Sequence, residues 1–200
     1  MKNDNNNKYW KDFYSKQQKS IIKPSLFAKF VLTKLENSFS LIDIGCGNGR
    51  DSMFFEKKGI NVISIDSSDI PFFRGKNFVK ENALTFDQEA DAYYSRFFLH
   101  TINESELVMF LSNISNKMRE NSLFFIETRS TTGISEKTKE ETFFKSAIGD
   151  SHYRILYSLG YLSSILSKYF KISFIEESNE FSPFENVKPY VIRSILKRKL

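Results

Sequence analysis

The sequence predicts an α/β fold, a mostly parallel sheet with helices on both faces and a ligand seated at the carboxyl ends of its strands. Three observations carry this. The stretch Leu41-Ile42-Asp43-Ile44-Gly45-Cys46-Gly47-Asn48-Gly49-Arg50-Asp51 starts as a short apolar run of strand type, breaks into alternating glycines, and re-emerges as a helix. Asn61-Val62-Ile63-Ser64-Ile65-Asp66 then reads as a second buried strand ending in a carboxylate. Strand and helix patterns alternate from there to two closing strands, spaced to pair as a hairpin.

A chain of 200 residues suits one domain with a full core. The polar residues 1–7 read as a disordered tail rather than a signal peptide, and residues 8–200 as the domain. Lys8 to Gln18 reads as a short helix whose Tyr9, Trp10, Phe13 and Tyr14 form one aromatic stripe, either stapled to the core or lying as a flap over a ligand. Pro24 at a first-turn position opens a second helix to Leu35, which completes a helical cover over residues 8–38. The helix after the glycines stops at Lys57-Lys58-Gly59, with basic residues in the last turn and glycine as the C′ residue.

Asn77 to Glu81 is a third, weak strand, and Ala90 to Ser95 a fourth, leading into Arg96-Phe97-Phe98-Leu99-His100. Asn103 and Glu106 form a capping box for a helix carrying Leu107, Phe110, Leu111, Ile114 and Met118. Ser122 to Arg129 is apolar through its middle, as a central parallel strand should be. Residues 130–150 turn polar and read as a substrate lid, with a small helix expected around Glu140 to Ala147. Asp150-Ser151 reads as the cap of a helix carrying Ile155, Leu159, Leu162 and Leu166. Lys171 to Glu177 and Tyr190 to Leu196 close the chain, and Arg193 of the second either reaches the expected cleft or faces solvent on an edge-side strand.

Composition narrows the function. No run approaches a membrane span. The one cysteine, Cys46, excludes an internal disulfide, fits a reducing cytoplasm, and reads as a small filler in the glycine turn. The net charge of +5 is scattered apart from Lys197-Arg198-Lys199, which leans towards an acidic substrate and does not argue for nucleic acid.

The glycine spacing narrows it further. A dinucleotide fingerprint needs G-x-G-x-x-G, but Arg50 stands where the third glycine belongs, and no P-loop is present. Asp43, two residues before Gly45, would repel a pyrophosphate but suits a ligand with an ammonium and a sulfonium. Asp66 is placed to accept both hydroxyls of a ribose. Asp43 to Gly49 resembles the first motif of the class I S-adenosylmethionine (SAM)-dependent methyltransferases.

That resemblance spans nearly the whole chain. It implies a Rossmann-like seven-stranded sheet, six strands parallel and the seventh antiparallel, with SAM as cofactor and S-adenosylhomocysteine (SAH) as product. The cofactor residues it implies are Trp10, Tyr14, Asp43, Gly45, Cys46, Gly47, Asn48, Arg50, Asp51, Asp66, Ser67, Asn82, Ala83 and Ser95. Trp10 or Tyr14 would meet the sulfonium through a cation–π contact. Asn82 stands where the family usually holds the adenine with an Asp. A narrower resemblance, in Tyr94 to His100, Glu127 to Ser130, His152-Tyr153-Arg154 and Val191-Ile192-Arg193, is to a bacterial subgroup that accompanies surface-polysaccharide genes, including those for O-methyl phosphoramidate capsule modification.

Methyl transfer from a sulfonium is an in-line displacement, so the protein must chiefly align and desolvate donor and acceptor. A hydroxyl acceptor would want a base, and an anionic oxygen would want cations instead. Arg96, Arg129, His152 and Arg154 are the residues expected to grip an anionic acceptor, with His100 as the base if one is used. The expectation is a cytoplasmic O-methyltransferase, monomer or weak homodimer, acting without metal on a small anionic, phosphorylated or nucleotide-activated intermediate. An RNA methyltransferase and a non-catalytic SAM-binding module are the alternatives.

Overall fold

The computed structural model describes residues 9, 12, 23–36, 38–68, 75–134, 143–145, 151–184 and 186–199, with the side chains of 143–145, 151 and 152 left aside. Its strands are β1 (Ser40–Ile44), β2 (Asn61–Asp66), β3 (Phe78–Lys80), β4 (Ala92–Arg96), β5 (Leu123–Arg129), β6 (Phe143–Lys145), β7 (Ser151–Tyr153), β8 (Phe170–Ser178) and β9 (Val191–Arg198). Among the described residues the helices are α1 (Leu26–Leu32), α2 (Arg50–Lys57), α3 (Glu104–Lys117) and α4 (Leu159–Tyr169), with a 3-10 turn at Leu99–Thr101.

Seven strands form one sheet in the order β3-β2-β1-β4-β5-β9-β8. β1 to β5 pair in parallel, and β9 runs antiparallel to both β5 and β8. Six strands are therefore parallel and one antiparallel, the class I methyltransferase arrangement. Strand order reverses between β1 and β4, and ligands of open α/β sheets bind outside the carboxyl ends at such a switch point.

Successive strand residues point to opposite faces, which divides the core into two layers. Leu41, Tyr94 and Phe125 face α1 and α2 and pack with Phe27, Val31 and Phe55. Ile42, Tyr93 and Phe124 face the other way and pack with Phe110 and Ile114 of α3 and Leu166 of α4. α3 starts as the sequence predicts: Asn103 accepts from the Glu106 amide while the Glu106 side chain accepts from the Asn103 amide. Gly59, at φ +85°, closes α2.

The structure departs from the sequence reading in four places. Ser25, not Pro24, begins α1, because its hydroxyl accepts from the Ala28 amide. Phe143–Lys145, expected within a helix, is instead a strand paired antiparallel to Ser151–Tyr153, so Ser151 lies in a strand where a helix cap was expected, and Asp150 lies outside the described residues. Aromatic residues favour such pairing, and the Ile155 amide is held extended by the His100 carbonyl at 2.8 Å. α4 therefore waits until Ser158, whose hydroxyl accepts from the Tyr161 amide. Finally, β9 lies inside the sheet, between β5 and β8, and Arg193 is buried rather than solvent-facing. Of the expected cover helix, Tyr9 and Asp12 are helical, and Tyr9 is buried. The tail, Trp10 and Tyr14, and most of the expected lid lie outside the described residues.

Candidate functional site

The carboxyl ends of β1 and β2 form a backbone cradle. Gly45, Gly47 and Gly49 all have positive φ, at +71°, +56° and +73°, a left-handed conformation open to residues without a Cβ. At Gly45 space is also short, since a Cβ would come within 2.9 Å of the Phe98 ring. The amides of Gly45 and Cys46 both donate to the Ile65 carbonyl, at 2.9 and 3.1 Å, locking the turn to β2. Asp66 accepts from the Gly47 amide at 2.9 Å and from the amide and hydroxyl of Ser68, so its carboxylate is aimed before any ligand arrives.

Asp43 lies beneath this turn, 3% exposed, accepting a 2.5 Å bond from the Ser52 hydroxyl. Burial pushes its pKa up to about 7, with the Asp51 and Asp66 carboxylates adding to the rise and Ser52 and Arg96 opposing it. A carboxylate this desolvated would gain from a cation.

The carboxyl ends of β4 and β5 are built from arginines. In register, Arg96 of β4 faces Glu127 of β5, and Glu127 faces Arg193 of β9. The Glu127 carboxylate is fully buried and accepts from Arg96 Nε at 2.9 Å and from Arg193 Nε at 2.7 Å. Arg193 also donates to the Phe181 carbonyl at 2.7 Å and lies against the Phe27, Phe30 and Phe181 rings. Arg96 also reaches the Ser182 hydroxyl at 3.1 Å. Burial alone would lower the Arg96 pKa, but Glu127, Tyr94 and Asp51 together outweigh it and hold the group above its ordinary value.

Arg129, two residues further along β5, is held differently. Its guanidinium lies 4.8 Å from the centroid of the Phe97 ring, and that of Arg96 lies 4.1 Å from the same ring. Burial, then repulsion from Arg154 and Arg96, brings the Arg129 pKa down to about 10. Arg154, which follows β7, is lowered by burial and sits within electrostatic reach of Tyr9. Arg96 and Arg154 therefore both lie within electrostatic reach of Arg129.

Other expected residues fall elsewhere. Asp51 accepts from the Ser25 amide and hydroxyl and from the Tyr94 hydroxyl, at 2.7 to 2.8 Å, so its carboxylate joins α1, α2 and β4 and is not directed at a cofactor. Ser95 is fully buried beside Ile44 at the switch point, and its hydroxyl has no partner among the described residues. Asn48 is buried in the turn and accepts from the Arg50 amide at 3.3 Å, while Cys46 is half-buried. Ser67 is exposed beyond β2, and Ala83 is buried. Asn82 is exposed, its side-chain oxygen accepting from the Leu84 amide at 2.9 Å. His100 is 2% exposed in the 3-10 turn, its ring 5.5 Å from that of Phe97 and its Nδ1 3.5 Å from the Thr128 hydroxyl. His152 pairs through its backbone with Phe144, and its side chain lies outside the described set.

Sequence reasoning missed Phe97 and the loop residues Phe181 and Ser182. It named Glu127 but not its place at the centre. The signal for Glu127 was present, as one acid among apolar strand residues with arginines at the facing registers. Phe97 lies in the Tyr94 to His100 segment, but the sequence gives it no role of its own there; its left-handed φ of +58° is unusual for a bulky side chain.

A cavity of about 330 Å³ opens beside α3 and α4, lined by Glu104, Leu107, Tyr157 and Tyr161 among others. It contains none of the residues above, and we place the site by its chemistry instead. Among the described residues no group of three or more His, Cys, Asp or Glu is arranged to hold a metal. Nor is any described helix long and apolar enough to cross a membrane.

Residues 14–165 match the family model described as a methyltransferase domain. The chain belongs to that family. Solved structures agree on the fold of this methyltransferase. The Burkholderia thailandensis 1,6-didemethyltoxoflavin-N1-methyltransferase, solved with its substrate and SAH, superposes with a TM-score of 0.75 at 16% identity, covering 97% of this chain and 87% of its own. A SAM-dependent methyltransferase from Clostridium acetobutylicum gives 0.71 at 13%, covering 96% and 99%. The glycopeptide N-methyltransferase MtfA, solved with SAM, gives 0.66 at 12%, covering 88% and 96%. No curated protein sequence matches the chain.

Proposed function

We propose that this methyltransferase uses SAM and transfers its methyl group to an oxygen of a small anionic molecule held at the carboxyl ends of β4 and β5. The observation that carries the acceptor class is the convergence of Arg96, Arg129 and Arg154 there, with Glu127 already shared between Arg96 and Arg193. The residues at the other end fit SAM. Asp43 is a desolvated carboxylate suited to the ammonium of the methionine moiety, Asp66 is aimed for the ribose hydroxyls, and the glycine turn leaves main chain bare for close approach. Related folds are solved with SAM or SAH bound.

When bound, SAM supplies a methyl carbon already activated by the sulfonium. The chain's task is then to hold an acceptor oxygen in line with that carbon and strip it of water. An oxygen that is already anionic needs no proton removed, so arginines that position it suffice. This leaves His100, buried against Phe97 and Thr128, to support the 3-10 turn rather than act as an exposed base. A phosphorylated or nucleotide-activated intermediate of surface-polysaccharide synthesis, including a phosphoramidate, fits this chemistry. That narrower assignment rests on the short sequence segments, and a cytoplasmic location on the one cysteine.

The test is incubation with methyl-labelled SAM and a bacterial extract, followed by separation into small anionic metabolites, polysaccharide and RNA. Label in the metabolite fraction is expected, and label confined to RNA would overturn the reading.

A further inference from the structure

Phe97 is the residue whose geometry the fold least requires. Its amide still donates to the Glu127 carbonyl at 2.8 Å, extending the β4–β5 ladder by one bond. The chain then swings to φ +58°, and Phe97 is the one non-glycine residue with positive φ among the described residues. A left-handed backbone costs a side chain with a Cβ on the order of 1–2 kcal/mol, and glycine would avoid that cost. Strain of this kind persists where the surroundings over-determine it. Here the swing places the ring 4.1 Å from the Arg96 guanidinium, 4.8 Å from that of Arg129 and 5.5 Å from the His100 ring.

The two arginines depend on this ring to different degrees. Arg96 has a carboxylate at 2.9 Å and a hydroxyl at 3.1 Å to fix it. For Arg129, among the described residues, the Phe97 face is the close contact on the guanidinium; Arg154 and Arg96 repel it, and Glu127 attracts it less strongly than either repels. An aromatic face attracts a cation electrostatically, and its bulk stands where water or a second guanidinium would otherwise lie. Arg129 remains half-buried, so an anion can reach it.

We propose that Phe97 is a positioning residue of the acceptor site, its ring holding the Arg129 guanidinium ready to bind the acceptor's anionic group. This rests on the anionic-acceptor reading above and gives Phe97 a role that the sequence segment around it did not assign.

The full-length protein is tested with two probes, inorganic phosphate and SAH, by titration calorimetry on wild type and the variants Phe97→Leu, Phe97→Tyr, Phe97→Gly and Arg129→Ala. Phe97→Leu keeps bulk without the aromatic face and is expected to weaken phosphate by about tenfold, as Arg129→Ala does or exceeds, while SAH binding moves less than about twofold. Phe97→Tyr keeps the face and is expected to bind phosphate as wild type does. Phe97→Gly removes the strain and the ring together, so it should melt no lower than Phe97→Leu yet bind phosphate as weakly. If Arg129→Ala loses phosphate while Phe97→Leu keeps it, the role of Phe97 is overturned and the anionic-acceptor reading stands. If wild type binds no phosphate, that reading falls and this one with it. A Phe97→Leu variant that loses SAH in step with phosphate would mark the ring as general scaffolding and overturn the proposal.

Discussion

The carboxyl ends of β1 and β2 shape their part of the site with main chain, whereas the ends of β4 and β5, with the start of β9, shape theirs with side chains. At the first, glycines at positive φ and amide bonds to Ile65 and Asp66 set the contour, and the charged groups are carboxylates. At the second, a buried carboxylate and aromatic rings hold guanidinium groups, and the charge is positive. Main-chain shape depends on local residues and survives most side-chain changes nearby. A side-chain cluster drawn from β4, β5, β9 and the β8–β9 loop stands or falls together.

The largest expected effect follows from that. Glu127→Ala would leave Arg96 and Arg193 facing each other without the carboxylate between them. Removing one partner of a buried ion pair typically costs about 3–5 kcal/mol, because the remaining charge stays buried and unpaired. Denaturant unfolding should show a loss of this size, whereas a loss below about 1 kcal/mol would mean that the cluster is solvated and no more cooperative than the glycine end.

The same contrast explains what was legible in the sequence. The alternation of strands and helices, the glycine turn, the second strand ending at Asp66 and the capping box at Asn103 are local or periodic features, and the structure reproduces them. The α1 start moved from Pro24 to Leu26 because Ser25 serves both as cap and as a donor to Asp51, a partner far along the chain. The β6–β7 pair was misread because its pattern is too short for periodicity to decide between helix and strand. The sequence leaves Arg193 open between cleft and solvent for a different reason: the pairing of its strand with β5 is a property of the whole sheet. Arginines at the acceptor end could be named from their positions after strands, but which of them Glu127 would hold could not. That depends on the pairing register and on a loop that returns Phe181 and Ser182 to the cluster.

A second prediction sharpens the contrast through pH. Asp43 is raised to about 7 in the free protein, by burial first and by neighbouring carboxylates next. An ammonium beside it would favour the ionised form, so below pH 7 binding must release a proton. Affinity should therefore rise with pH, and SAH should bind roughly fiftyfold more weakly at pH 5 than at pH 7, a range over which an α-amino group stays protonated. Asp43→Asn should bind more weakly at pH 7 and lose this slope. A wild-type change under about threefold would show that Asp43 is ionised before the ligand arrives, and would remove the acid–base asymmetry from the comparison.

The smallest effect concerns the joint between the two ends. Ser25 caps α1, donates twice to Asp51 of α2, and lies 3.2 Å from the Tyr94 hydroxyl of β4. α2 springs from the glycine turn, β4 leads to Arg96, and α1 carries Phe27 and Phe30 against Arg193. Ser25→Ala removes the cap and one of the two Asp51 bonds while the amide bond remains, so the expected loss of stability is about 1–2 kcal/mol, read by denaturant unfolding. If the joint serves both ends alike, SAH and phosphate affinities should shift together and by less than about twofold. A shift confined to phosphate would show that α1 belongs to the side-chain end alone, and one confined to SAH that the joint serves the backbone cradle.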